Sequence, residues 1–208
     1  DCLLSRGLGD VYKRQILILT LALAGCGVGR VGAPPAVFDL GLDARPTPQL
    51  PVREPIALVF SAVPALSDTG IVWRVGDSAA PKSYATYRWS SSPSDLVRQR
   101  LIERLSRQGP VLADRASGQT PQLQVYLSQF EQVFTPDGAA SEGRVLLQAV
   151  LLNGRDVAGQ VRIATQAPAP TQDAAGGVAA LRQATDDAAD QLAQWLASNP
   201  KAAARPAR

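Results

Sequence analysis

The 208-residue chain has no histidine and no methionine. Without histidine there is no Ser-His-Asp or Cys-His nucleophile and no imidazole-bound metal. Charge is also scarce: 19% of residues are charged and the net charge is +3. Setting aside residues 1–25 removes three Lys/Arg and two Asp/Glu and leaves 18 − 16 = +2, too small and scattered for a nucleic-acid footprint. There are two cysteines, Cys2 and Cys26. Cys2 lies in 1-DCLLSRGLGDVYKRQ-15, which has no periodicity and ends like a translated adapter string. With no Met at position 1, residues 1–15 are read as a non-native segment and kept out of the fold. One cysteine is then left, and no intramolecular disulfide. Long apolar runs are missing too: 16-ILILTLALA-24 falls short of the about 20 residues that span a bilayer.

The stretch 21-LALAGCGVGRVG-32 satisfies two patterns. Gly27, Gly29 and Gly32 spell a dinucleotide fingerprint, which needs a helix to open at the third glycine. Six prolines among residues 33–55 deny that helix its donors and its turns, so the fingerprint is coincidental. Leu23, Ala24, Gly25 and Cys26 spell a lipobox: small residues admit the chain to a signal peptidase, and the Cys26 thiol accepts diacylglycerol. The competing reading is a buried cysteine ending a core strand. Residues 16–25 are therefore expected to be the remnant of a lipoprotein signal peptide, and 26–35 a flexible tether. The N-terminal cysteine would carry two or three acyl chains, enough for stable anchoring.

Downstream, 36–42, 56–63, 71–77 and 83–91 read as strands, with 56-IALVFSAV-63 buried on both faces. Ser92, Pro93 and Asp95 start a helix over 93–108 that Gly109-Pro110 stops. Its Val97, Leu101 and Leu105 form the apolar stripe, while Arg98, Arg104 and Arg107 take a solvated basic face. Residues 121–134, 144–153 and 155–166 read as an antiparallel meander, with a bulge or a strong twist where the apolar phase shifts from Leu127 to Phe130 and a hairpin at Asn153-Gly154. A second amphipathic helix spans 178–198, with Leu181, Ala184, Ala188, Leu192 and Trp195 inward and Asp186, Asp187 and Asp190 outward in solvent. One domain, 36–198, is expected, followed by a disordered tail at 199–208. The fold class is α/β: a two-layer sandwich with two helices on one face of a mixed, mostly antiparallel sheet. The other face carries Gln124, Tyr126, Gln160 and Arg162, wet or covered by a partner.

The order of motifs is informative. The lipobox, Phe38-Asp39-Leu40, Leu66 to Arg74 (L-x-D-T-x-I-V-W-R), Tyr84 with Arg88-Trp89, the Pro-initiated helix and Phe130-Glu131 together resemble the ABC-type transport auxiliary lipoprotein family, including its PqiC-like members. The likeness spans about Cys26 to Ala197, with Phe38 where Tyr is common. It implies a non-enzymatic lipoprotein partnered by an MCE-domain protein and an ABC permease and ATPase, moving lipids or other hydrophobic compounds between membranes. With Gly27 after the cysteine instead of the inner-membrane retention aspartate, it implies an outer-membrane location facing the periplasm. Acyl chains on Cys26 are the only non-protein groups implied, with no cofactor and no metal; a homo-oligomer stays open.

The residues point the same way. The densest acids, Asp186, Asp187 and Asp190, read as solvated, and Ser90-Ser91-Ser92 has no base beside it. Trp73, Tyr84, Tyr87 and Trp89 are the candidate partner contacts, since aromatics concentrate interface energy; the alternative is that they fill the core. Competing functions are an envelope-assembly or chaperone lipoprotein and an anchored hydrolase using carboxylates.

Overall fold

The three longest strands alternate buried apolar residues with outward-facing ones, and in the middle strand the outward set includes Leu146, Val150 and Leu152. A computed structural model describes residues 34–43, 45–113 and 120–199; the described residues from Pro35 onward form one compact unit. Strand β6 (Gln122–Phe134) pairs antiparallel with β7 (Ser141–Asn153), and β7 with β8 (Asp156–Pro168). Leu123, Val125, Leu127, Leu147, Ala149, Leu151 and Ile163 point to the covered face and are buried, while Gln124, Tyr126, Gln148, Gln160 and Arg162 point away and are exposed. The phase shift is a bulge, with Ser128 the extra residue between Leu127 and Gln129. The β7–β8 turn sits at Gly154-Arg155, one residue later than the Asn-Gly signal, because Asn153 already pairs with Asp156.

On its other edge β6 has two partners in succession. Strand β2 (Ile56–Ala62) pairs in parallel with residues 122–127, and β3 (Gly70–Val75) in parallel with residues 132–134. Between them the chain leaves the sheet through a 3-10 turn at Pro64–Ser67. Strand β5 (Val111–Ala113) extends the sheet beyond β2, while β4 (Lys82–Trp89) and β1 (Ala36–Phe38) extend it beyond β3. The β6–β7–β8 ladders make the sheet mixed and mostly antiparallel, as expected. Strand β2 departs from expectation: Ile56 to Leu58 are buried, but Ser61 is exposed, because the sheet's far face is uncovered there.

Helix α1 (Pro93–Leu105) starts where the sequence places it: Ser92 Oγ accepts from the Asp95 amide at 3.1 Å, with Pro93 in the first turn. It ends three residues before Gln108. Helix α2 (Ala174–Ser198) starts earlier than its apolar period suggests, capped by Asp173, whose carboxylate accepts from the Gly176 amide at 2.8 Å. Gly176 and Gly177, which read as loop, lie inside its first turn. A Cβ on Gly176 would meet the Thr171 carbonyl, and one on Gly177 the Gln132 side chain; helix propensity yields to close packing. The two helices lie side by side over one sheet face, with Val97, Leu101, Leu105, Leu181, Ala184, Ala188 and Leu192 at 0% exposure.

Two surface expectations fail. Arg104 is 1% exposed and Asp186 1%; neither lies on a solvated face. The helices run in the same direction, and Arg100 and Arg104 of α1 meet Asp186 and Asp190 of α2 on successive turns. Strap residues 39–47 lie against this seam. Arg100 donates to the carbonyls of Leu40 and Gly41. Both Arg104 and Arg107 reach Asp43 at 2.7 Å, and Arg45 reaches Asp187 at 2.8 Å. The two buried guanidiniums, Arg100 and Arg104, each find acceptors on both the strap and α2, which is how charge is tolerated in the interior. Burial alone would raise the Asp43 pKa; the hydrogen bond and charge of Arg104, with Arg107 and Arg100 behind it, pull harder and leave it below the usual range.

Candidate functional site

Strands β3 and β4 bring the candidate aromatics to one end of the sheet, beside the start of α2. Centroid distances of 5.6, 6.1, 6.0 and 5.8 Å link Phe134, Trp73, Tyr84, Tyr87 and Phe38 in that order. Trp73, Tyr84 and Tyr87 are half-buried, and the Lys82 ammonium sits 5.2 Å above the Trp73 ring. Trp89 does not join them. At 2% exposure it packs into the core against Phe130, centroids 5.4 Å apart, so this expected contact residue is a core residue with no surface to offer.

A strand irregularity produces the arrangement. From Gly70 to Val72 β3 advances two residues while β4 runs from Arg88 back to Ser83. Arg88 closes the surplus by donating to the carbonyls of Tyr84 and of Tyr87, the latter at 2.8 Å. The Tyr84 hydroxyl donates to Gln132 Oε1 at 2.9 Å, and the Gln132 amide nitrogen donates to Ser141 Oγ at 2.8 Å and to the Asp173 carbonyl at 3.2 Å. Gln132 is fully buried, so this polar chain locks β4, β6, β7 and the α2 cap to one another. Burial, then the negative charge of Asp173 and the neighbouring Tyr87, pushes the Tyr84 phenol up to about 12. A raised acid contributes stability below its unfolded value of about 10, lost as pH climbs towards the folded one. An alkaline titration of phenolate absorbance is expected to show a late step near pH 12 that Tyr84→Phe removes. A titration of all the native protein's tyrosines in one step centred at about pH 10 would contradict this placement.

Where β2 hands over to β3, residues 128–131 of β6 have no ladder partner on that edge. A cleft of about 300 Å³ opens there, lined by Leu66, Val72, Arg74, Lys82, Gln129 and Glu131 among others. Glu131, 4% exposed, accepts from Arg74 Nε at 2.7 Å and from Gln129 Nε2 at 2.7 Å. Its charge is thereby neutralised, which is the arrangement of a structural carboxylate and not of a free acid or base. Among the described residues no group of three or more His, Cys, Asp or Glu could hold a metal ion. None of their helices is long and apolar enough to cross a membrane. Cys26 and the lipobox residues Leu23, Ala24 and Gly25, like the tail from residue 200, lie outside the described residues.

The model of the family described as ABC-type transport auxiliary lipoprotein component matches residues 43–193. The chain belongs to that family. Solved structures agree on the fold. Protein XCC0632 from Xanthomonas campestris, of the DUF330 family, is 17% identical with a TM-score of 0.66, covering 81% of this chain and 95% of its own. An uncharacterized protein of known structure is 14% identical with a TM-score of 0.62, covering 79% and 99%. No curated protein matches the chain. The auxiliary lipoprotein family is one of transport components and is not known for an enzymatic activity.

The motifs that resemble this family have architectural jobs here. Asp39 accepts from the Gly41 amide at 2.6 Å, where φ is +62°. Asp68 accepts from the Gly70 amide at 2.8 Å. Leu40, Leu66, Ile71, Trp89 and Phe130 are core; Arg74 and Glu131 pair. What sequence reasoning missed was the buried ion cluster. Its signal was available as two complementary doublets at i, i+4, Arg100/Arg104 and Asp186/Asp190, each on one side of a helix.

Proposed function

We propose that this auxiliary lipoprotein is anchored in the outer membrane through acyl chains on Cys26. It faces the periplasm and acts by docking to an MCE-domain protein and its ABC permease and ATPase, in the transport of lipids or other hydrophobic compounds. The family match over residues 43–193 carries the reading, joined to the lipobox 23-LAGC-26 a few residues ahead of the first strand. Two or three acyl chains make anchoring stable where one is marginal. Gly27 after the cysteine favours the outer over the inner membrane. The half-buried rings of Trp73, Tyr84 and Tyr87 are retained as proposed contacts, and Trp89 is not. The reading needs no cofactor beyond the covalent lipid.

The test combines mass and place. Mass spectrometry of the processed native protein is expected to show an acylated cysteine at position 26 as its first residue. Cys26→Ala is expected to move the protein out of the outer-membrane fraction of a density gradient. Co-purification of the acylated form with MCE and permease subunits completes the reading. An unmodified thiol, or a Cys26→Ala protein that fractionates unchanged, overturns the anchor.

A further inference from the structure

The two sides of the sandwich are solvated very differently. The helical side is charged: Arg98, Glu103, Arg107, Arg182 and Asp187 all reach its surface. The bare side of the sheet is not. Across Ile56–Ala62, Gln122–Leu127, Leu146–Leu152 and Val157–Ala164 the single charged residue is Arg162. Outward-facing residues form two cross-strand rows, Gln124–Val150–Gln160 and Tyr126–Gln148–Arg162, with Tyr126 39% and, at the margin, Val157 62% exposed. Solvent-facing strands ordinarily carry interspersed Lys and Glu, which keep a flat sheet soluble and discourage other strands from pairing with it. Loss of charge with retained Tyr and hydrogen-bonding side chains is instead the composition found at the centre of protein interfaces. Charge reappears at the ends of the same strands, as the pairs Arg74–Glu131 and Arg144–Glu142 at one end and as Arg155 and Asp156 at the other, and forms a polar rim.

We propose that this bare face of β2, β6, β7 and β8 is the surface on which the transporter partner docks, and that the partner's patch is neutral apart from an acid facing Arg162. The inference rests on the docking reading above and names its surface. Three 13-residue strands at about 3.4 Å per residue and 4.8 Å per strand, with β2 beside them, present roughly 700 Å². That is close to one side of a standard heteromeric interface, about 800 Å². A lipid surface fits poorly, because the glutamine amides would lose water without gaining partners and a single arginine gives little attraction to anionic headgroups. A second copy fits poorly as well. The acids towards one end of that face, Glu131 and Glu142, already pair with Arg74 and Arg144, so self-association would set Arg162 against groups whose charge is already met.

The experiment places a photo-crosslinking amino acid at position 124, 148 or 160 on the sheet, or at 99 or 183 on the helical side, in the full acylated chain in its own envelope. Adducts with a subunit of the transport complex are expected from the sheet positions only. Arg162→Glu is expected to reduce them about tenfold or more while Arg162→Lys keeps most of the yield, since charge at a contact edge governs both encounter and specificity. Partner adducts from 99 or 183 and none from the sheet would overturn the surface while leaving docking intact. Absence of partner adducts from every position would overturn docking itself. Sheet adducts at twice the chain's mass, or with lipid alone, would assign the face to a second copy or to the membrane and overturn the proposal.

Discussion

Replacing Arg104 with methionine is expected to remove about 3–5 kcal/mol of stability, the usual loss when one member of a buried ion pair is deleted. The side chain is 1% exposed, and its loss leaves the Asp43 carboxylate, which is 0% exposed, with only the partly exposed Arg107 as an ion partner, at 2.7 Å. Asp186 keeps Arg100, while Asp190 loses the pair it makes with Arg104, so the damage should fall on the strap and on the adjoining turn of α2. Urea unfolding of wild type, Arg104→Met, Asp43→Asn and the double variant measures the coupling directly. The double variant is expected to recover part of the loss, because an amide is cheaper to bury than an unpaired carboxylate. A single-variant loss below about 1 kcal/mol would mean that water reaches the cluster. The pH dependence has a defined sign. Asp43 is depressed in the folded state, so its contribution is complete above the unfolded value of about 4 and fades as pH falls through the lower folded value. Wild type should therefore become markedly less stable below about pH 4, and Asp43→Asn should be less stable at neutral pH and less sensitive to acid.

Gly143→Ala is the second large expectation. A Cβ there would lie 2.5 Å from the Leu181 nitrogen, 2.6 Å from the Ala180 carbonyl carbon and 2.9 Å from the Leu181 Cα. All three are backbone atoms of α2, so no side chain can turn aside, and the helix must lift from β7. Overpacking of this kind costs about 3 kcal/mol, or roughly 6–12 °C of melting temperature for a domain of this size. Gly138→Ala is the control: no atom lies within 4 Å of its Cβ, and only the left-handed backbone at φ +71° resists it, at about 1–2 kcal/mol. Equal melting points for the two variants would show that α2 does not rest on Gly143.

The aromatic candidates show where sequence reading reached its limit. Trp73, Tyr84, Tyr87 and Trp89 are evenly plausible as contacts in a linear string, yet Trp89 packs into the core against Phe130 while the other three stay half-buried. The charges show the same limit. Arg98 and Arg104 both lie off the apolar stripe of α1, and both read as solvated. Arg98 is exposed and pairs locally with Asp95 at 3.3 Å, whereas Arg104 is buried against acids of the strap and of α2. The difference arises from a neighbouring helix that local pattern does not contain.

By itself the sequence determined the ladder of β6, β7 and β8, the phase shift after Leu127, the capped start of α1 and the α/β class. These follow from side-chain period and capping chemistry within a dozen residues, because burial on one face imprints a repeat on the chain. The order of motifs carried the family resemblance in the same way. Only the tertiary structure decided that β2 and β3 share one edge of β6, that Gly176 and Gly177 belong to a helix, and that Arg104, Asp43, Asp186 and Asp190 form one buried cluster. The strap, α1 and α2 bring those charges together from segments far apart in the chain, and pairing at such separation leaves no period to read, since it depends on which surfaces meet after the chain has folded.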